Sequence, residues 1–395
     1  MQFDHNYLVE QINKEGQIVA SEEDLCAKLS PKDGSAPKIE NRTILSAYSP
    51  LRLKLGEHMR LDHTIFLFGN GSSIYAGSQD TRAFSLADYG KIEAFKSISD
   101  IITTVSSLSG IENQLNALIT IQSYYNITHD PKEEQITSLI SQVKQQLING
   151  FVNSVDYRKL ILHEVLFRKL RSFGCLNQTS IFTTNYDLAF EYAMDRLGIE
   201  YVDGFSGFIN RTFDARTLQS RSKPKLVKIH GSVNWVADND AIKELQPRFD
   251  TGKVIVEDTD PVLIYPTSNK LYQTYTTPYS ELMRHMLNEM ETGKNAIIVI
   301  GYKYGDDHIN EILTKAFHNP NNIFYFFLYD SNEPCDFIKH LESLSNSMPN
   351  IHFLVGKALG DFCYFVKYML PATPEKSDQE KVIELLQKVL VDHES

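Results

Sequence analysis

A few short stretches of this chain combine reactive residue types with positions that aim them at one place. In Phe182-Thr-Thr-Asn185-Tyr-Asp187, Asn185 offers a carboxamide that can grip a sugar hydroxyl or position a water. Asp187 offers a carboxylate that can hold a carboxamide or cap the next helix. In Lys228-Ile-His230-Gly-Ser-Val-Asn-Trp235, His230 closes an apolar run and precedes a glycine. An imidazole with an ordinary pKa of roughly 6.5 suits general-base work near neutrality. In Gly69-Asn-Gly71-Ser72-Ser73-Ile-Tyr-Ala-Gly77, glycines follow a run of apolar residues. They let the backbone turn tightly and approach a pyrophosphate, and a helix start behind them would offer N–H groups and its dipole. Gly301 repeats this pattern in Ile297-Ile-Val-Ile-Gly301-Tyr-Lys-Tyr-Gly-Asp-Asp307-His308, and Asp330 stands at another strand exit, where an acidic group suits a ribose.

Each stretch also has a plain structural reading. Gly-rich turns arise for steric reasons, Asp187 can act as a cap alone, and an isolated histidine is more often structural than catalytic. His308, in the first turn of an expected helix, reads as a surface or capping residue rather than a second base.

Position therefore has to decide, and the surrounding pattern supplies it. Strands are expected at Thr64–Phe68, Ser180–Thr183, Leu226–Ile229, Val262–Ile264, Ala296–Ile300 and Ile323–Tyr329. Helices are expected at Asp187–Leu197, Pro278–Thr292, Asp307–Phe317 and Asp336–Ser345. Short apolar strands alternating with amphipathic helices predict an α/β fold, a Rossmann-like doubly wound parallel sheet with helices on both faces. In such sheets ligands sit outside the carboxyl ends of the strands, where strand order reverses. The reactive residues above all fall just after strands.

Helical spacing takes over from about 91 to 173, where Ile111, Leu115, Leu118 and Ile119 share one face. Ile136, Ile140, Val143 and Leu147 share another, and Pro131 separates the two runs. This predicts a helical insertion of three or four helices. Residues 1–57 read as an N-terminal helical extension, with a helix over Tyr7–Lys14 and a second opened by Ser21 and Asp24. Residues 58–371 form the nucleotide-binding domain that contains the insertion. Residues 372–395 form a C-terminal tail whose helix lines up Val382, Leu385, Leu386, Val389 and Leu390.

Composition narrows the function. With 39 basic against 50 acidic residues the net charge is -11, and no run of Lys and Arg breaks it, so no direct nucleic-acid partner is expected. The four cysteines, Cys26, Cys175, Cys335 and Cys363, form no C-x-x-C pair, so neither a zinc ribbon nor a redox pair is written here. The N-terminus lacks the features of a signal peptide, and the longest apolar runs are too short to span a bilayer. A cytoplasmic protein with no membrane partner is the expectation.

Taken in order, these stretches resemble the sirtuin family. Gly69 to Arg82 is similar to the signature Gly-Ala-Gly-x-Ser, a spacer, then Gly-Ile-Pro-Asp-Phe-Arg, and Gly69, Gly71, Ser73, Gly77, Asp80 and Arg82 match without a gap. Thr183-Thr-Asn185-Tyr-Asp187 resembles Thr-Gln-Asn-Ile-Asp, and His230-Gly231 resembles the catalytic His-Gly. The resemblance runs roughly from Asp62 to Tyr368. It implies NAD as substrate, with Asn185 and His230 catalytic and with Gly69, Gly71, Ser72, Ser73, Asp80, Arg82, Asp187, Gly301 and Asp330 holding the dinucleotide.

The departures bear on the reaction. Sirtuin deacylases follow His-Gly with two C-x-x-C pairs that bind zinc, whereas His230-Gly231 leads to Ser-Val-Asn-Trp235 and no such pair follows. No zinc and no metal ligands are expected. Gln79 and Thr81 replace the Pro and Phe of the cofactor loop. That Phe shields the reactive ribose carbon from water, so the smaller, polar Thr81 favours hydrolysis over transfer.

Ile264-Tyr-Pro266-Thr, Pro278-Tyr279 and the stretch from Gly301 to His308 are similar to zinc-free sirtuin-like proteins of bacterial anti-phage systems. Those relatives deplete NAD, and some work beside a HerA-type ATPase or an Argonaute. The resemblance thus implies an NAD+ glycohydrolase releasing nicotinamide and ADP-ribose, acting as a homo-oligomer or with such a defence partner. The alternatives are a non-catalytic sensor of NAD or ADP-ribose that scaffolds a partner, and a zinc-free deacylase.

Overall fold

A computed structural model of the chain describes residues 48–78, 85–108, 110–239, 241–255, 261–263, 276–329 and 335–372. The helices expected before residue 48 and after 372, Gln79, Asp80, Thr81, Arg82 and Asp330 lie outside the described residues.

Twelve strands are described. In chain order they are β1 (His63–Phe68), β2 (Thr179–Thr183), β3 (Phe205–Ser206), β4 (Arg211–Phe213), β5 (Lys225–Lys228) and β6 (Trp235–Asp238). They continue with β7 (Ala241–Glu244), β8 (Arg248–Asp250), β9 (Lys253–Ile255), β10 (Asn295–Ile300), β11 (Ile323–Leu328) and β12 (Ile351–Val355). Six of them form the central sheet in the spatial order β12-β11-β10-β1-β2-β5, all parallel. Counted within this sheet alone, the order is 3-2-1-4-5-6 read from the other edge. That is the doubly wound Rossmann arrangement, whose ligand crevice opens where the order reverses, here between β1 and β10.

Side-chain alternation builds a core on each face of the sheet. From β1, Phe66 and Phe68 point to one face and Ile65 and Leu67 to the other. The first face is covered by α1 (Ser49–His58) and by three segments packed with it. Two of these are helices separated along the chain by β2, Ile161–Phe173 and Ala189–Arg196, and the third spans residues 362–370. The second face is covered by helices Tyr279–Glu291, Asp307–Ala316 and Asp336–Ser347, through Met286, Met290, Ile309, Leu313 and Leu341. Helices on both faces explain the near-continuous apolar runs of β10 and β11, since neither side of these strands meets water.

A third core belongs to the chain between β1 and β2. Short 3-10 segments over Leu86–Lys91 and Glu93–Ile98 precede α2 (Ser99–Ser106), α3 (Gly110–Thr128) and α4 (Glu133–Ile148). Their apolar faces meet Ala76, Leu188 and Val233, residues that follow β1, β2 and β5, so this bundle rests against the carboxyl ends of the sheet. The next helices, in the numbering used below, are α5 (Ile161–Phe173), α6 (Ala189–Arg196), α7 (Tyr279–Glu291), α8 (Asp307–Ala316) and α9 (Asp336–Ser347). The ring of His163 on α5 packs on Phe190 and Phe362, within the sheet's first core.

Two details differ from the pattern-based expectation. Of the strand expected at Val262–Ile264, Leu263 forms an isolated bridge with Gly231, and Ile264 lies outside the described residues. A small antiparallel sheet, β3-β4-β7-β6, lies between β2 and β10 in the chain, formed by strands of two to four residues with mixed polarity. Among the described residues no helix is long and apolar enough to cross a membrane.

Candidate active site

The crevice between β1 and β10 is closed at its base by backbone meeting backbone. The N–H of Gly71 donates to the carbonyl of Gly301 at 3.0 Å. A Cβ on Gly69 would stand 2.6 Å from that carbonyl oxygen, and one on Gly71 would stand 2.6 Å from Gly301 Cα. Gly301 itself has φ +70°, the left-handed region that favours glycine. These three glycines are thus required by the contact between two loops before any ligand is considered.

The chain beyond Gly69 does not open a long helix. It forms two 3-10 turns, Asn70–Ser72 and Ile74–Ala76, which overturns the expectation of a helix start behind the glycines. The N–H groups of Ser72 and Ser73 go to Gly69 and Asn70, and those of Ala76, Gly77 and Ser78 stay within the same loop. The insertion holds the far end of this loop, where the Asp156 N–H donates to Ala76 O at 2.7 Å. Tyr75, further round, donates its hydroxyl to Asp361 Oδ2 at 2.7 Å, tying the loop to the segment after β12.

Asn185 sits two residues past β2, is buried, and faces this loop. Its Nδ2 donates to the hydroxyls of Ser72 and Ser73 at 3.0 and 3.1 Å. The Ser72 hydroxyl donates to Gly69 O at 2.8 Å, which turns its lone pairs toward Asn185. The backbone N–H of Asn185 donates to Thr183 Oγ1 at 3.1 Å. With the amide nitrogen committed, Oδ1 is oriented, buried, and has no hydrogen-bond partner among the described residues. A buried acceptor left open in this way costs about 1–3 kcal/mol unless something binds it.

Asp187 is 3% exposed, and its Oδ1 accepts from the N–H of Ala189, the first residue of α6, at 2.9 Å. Asp187 thus caps the first N–H of α6 from the residue before the N-cap, Leu188. Burial pushes its carboxyl above the usual carboxylate range, against the opposing pull of Lys228, the Ala189 N–H and Ser73. Lys228, at the end of β5, is buried too. It pairs with Glu191 at 3.0 Å and donates to the carbonyls of Tyr186 and Asp187. Burial likewise outweighs Lys228 at Glu191 and raises that carboxyl.

His230 follows β5 by two residues and is 4% exposed. Gly231 turns the chain at φ +87°, and a Cβ there would collide with Val262 O. Position alone did not reveal the neighbour of His230. Its Nε2 lies 3.2 Å from Nε2 of His308 on α8. His308 is buried, which corrects its reading as a surface or capping residue. Asp306 completes the group, for one carboxylate oxygen and the two imidazole nitrogens all lie within 4.8 Å of one another. The glycine-strand pattern around Gly301 pointed to this segment. Which face of α8 would turn inward depends on the packing of Ile309 and Leu313 beneath it.

The structure thus brings Gly69, Gly71, Ser72, Ser73, Asn185 and Gly301 into one contact set, and places Asp187 and His230 on the loops after the neighbouring strands β2 and β5. The roles of Ser72 and Ser73 as acceptors for Asn185, and of Asp306 and His308 beside His230, were not evident from residue types.

Residues 179–347, which contain Asn185, His230 and Gly301, match the family model of a SIR2-like domain. No curated protein matches the chain. Among solved structures, a Sir2 homologue in complex with NAD is similar at 11% identity, covering 80% of this chain and 91% of that one, with a TM-score of 0.40. A structure concerned with sirtuin substrate affinity is similar at 14% identity, with 80% and 96% covered and a TM-score of 0.40. A mutant Sir2 homologue bound to ADP-ribose is similar at 11% identity, with 80% and 93% covered and a TM-score of 0.36. The strand order of the sheet, rather than these likenesses, carries the fold assignment.

Proposed function

We propose that the crevice at the carboxyl ends of the sheet binds NAD and hydrolyses it to nicotinamide and ADP-ribose. The observation that carries this reading is Asn185: a buried carboxamide whose nitrogen is held by two serine hydroxyls and whose oxygen is open. Such an oxygen accepts from a water or a ribose hydroxyl in a fixed direction. The SIR2-like match over residues 179–347 and the strand-end positions of Asn185 and His230 support the dinucleotide as the ligand.

In this reading the dinucleotide lies across the strand ends, with its pyrophosphate near Gly69–Ser73 and its adenosine toward Gly301 and Asp330. Asp80, Arg82 and Asp187 serve the nicotinamide end. Departure of nicotinamide leaves an oxocarbenium-like ribose, which buried carboxylates stabilise. Water directed by Asn185 attacks it, and His230 takes up the proton from that water or from a ribose hydroxyl. A chain that destroys NAD needs restraint in its host. An oligomer, or a partner such as a HerA-type ATPase in an anti-phage system, is the proposed source, on the strength of the zinc-free sirtuin-like resemblance.

The test is incubation of purified wild type and His230→Ala with NAD, followed by chromatography of the products. Nicotinamide plus ADP-ribose from wild type alone is the expected result, with a loss of about 100- to 10,000-fold in the variant. Unchanged NAD loss in His230→Ala would remove the assigned base. Binding without turnover, with or without a partner, would make the chain a sensor.

A further inference from the structure

His230, Asp306 and His308 are all buried, each less than a tenth exposed, and converge from two different strand ends. Two neutral imidazoles meeting Nε2 to Nε2 at 3.2 Å share a single proton, because one nitrogen must donate and the other accept. The same separation has a second meaning. Two nitrogens that each lie about 2.0–2.1 Å from a tetrahedral zinc-type ion stand about 3.3 Å apart. One carboxylate oxygen of Asp306 and one ring nitrogen of each histidine all lie within 4.8 Å of one another.

We propose that His230, Asp306 and His308 form a binding site for a divalent transition-metal ion, and that its occupation silences hydrolysis. Two imidazoles and one carboxylate are a donor set suited to zinc and its neighbours, with at least one position left for water. This site is unrelated to a C-x-x-C module, and it needs none of the cysteines. Gly231 and the loop after β10 hold the two histidines on separate strand ends, so the ligands are preset by the sheet. Binding requires both Nε2 lone pairs, so the proton shared between the rings moves to Nδ1 of the ring that carried it, and both histidines stay neutral.

The regulatory half rests on the hydrolase reading. A metal on Nε2 of His230 occupies the lone pair that would accept the proton. It also places positive charge beside a ribose that itself becomes cationic, which opposes the reaction electrostatically. The same ion would therefore inhibit here, although metal-bound water serves as a nucleophile elsewhere.

The untagged full chain, stripped with a chelator, is titrated with cobalt(II) alone and followed by its visible d–d absorption, with zinc(II) competition by calorimetry. One ion per chain is expected. Affinity should fall at least about tenfold in His230→Ala, His308→Gln and Asp306→Asn, each checked for native circular dichroism. Absence of a cobalt band in the folded wild type, or a band that persists in all three variants, would overturn the site. NAD turnover is measured on the stripped chain with and without one equivalent of zinc(II), and inhibition reversed by chelator is expected. A cobalt band without turnover in the stripped chain leaves the metal site standing and removes the hydrolase. Turnover without a band does the reverse, and turnover unaffected by bound zinc removes the regulatory role.

Discussion

The N–H of Gly71 donates to the carbonyl of Gly301 at 3.0 Å, so the loops after β1 and β10 are joined at the point where strand order reverses. This contact leaves no room for a side chain at Gly69, Gly71 or Gly301. In Gly71→Ala the new Cβ would stand 2.6 Å from Gly301 Cα, and in Gly301→Ala it would stand 2.9 Å from Ser72 N at a φ of +70°. Both substitutions should destabilise the fold by about 1–3 kcal/mol through overpacking. They should also lower NAD turnover, because Ser72, a partner of Asn185, moves with the loop. Urea denaturation with parallel product analysis checks this. A variant that keeps wild-type stability would show that the two loops separate more easily than their contact indicates.

The two serines that hold Asn185 lead to a graded prediction. Asn185→Ala removes the directed oxygen and should nearly abolish turnover. Ser73→Ala removes one of two hydrogen bonds to the amide nitrogen, a contact worth about 0.5–1.5 kcal/mol, and should cost about 2- to 10-fold. The same ordering should appear in kcat, with KM for NAD moving less. Equal losses in the two variants would mean that Ser73 meets the substrate itself.

Much of this frame was legible in the chain. Five of the six strands of the central sheet follow from short apolar runs, since β1, β10 and β11 are covered on both faces, and the helices between them follow from 3.6-residue patterns. β12 escaped notice because His352 interrupts its apolar run. The ring of that histidine is buried against Tyr325, a pairing that only the folded sheet creates. The small antiparallel sheet escaped because strands such as Ala241-Ile-Lys-Glu244 are too short for a period to show. At the site, strand-end position singled out Asn185 and His230. The neighbour of His230 was not legible, since the face His308 presents is set by how α8 docks on the sheet. The N–H groups after Gly69 also went elsewhere than expected, because two 3-10 turns use them internally.

Asp187 carries a cap and a buried charge at once, and the two can be separated. Asp187→Ala loses the acceptor for the Ala189 N–H and should cost about 1 kcal/mol of stability. Asp187→Asn keeps an acceptor, so its stability should stay close to wild type while the charge beside Lys228 and Ser73 is gone. If Asp187 also serves the nicotinamide end of NAD, turnover falls in the Asn variant without a matching loss of stability. Thermal unfolding and NAD turnover measured on the same preparations decide between a cap alone and a cap with a second duty.

His163 on α5 should make the fold acid-sensitive. Its ring packs between Phe190 and Phe362 with centroids 5.0 and 5.3 Å away, and neither ring nitrogen has a hydrogen-bond partner among the described residues. Burial holds its pKa down to about 3. As pH falls below about 6.5, the unfolded chain binds a proton at this position while the folded chain does not. Stability is therefore lost across that window, at up to about 1.4 kcal/mol per pH unit. The carboxyls of Asp187 and Glu191, held above their usual range, act in the opposite direction and favour the folded chain as pH falls. Comparison with His163→Phe cancels their contribution, because the variant keeps both carboxyls and lacks only the imidazole. The variant's advantage in urea unfolding should grow steadily from about pH 7 to about pH 5. A difference that stays constant across that range would mean that the His163 imidazole gains a proton as readily in the folded chain as in the unfolded one, and that it is not sealed from water.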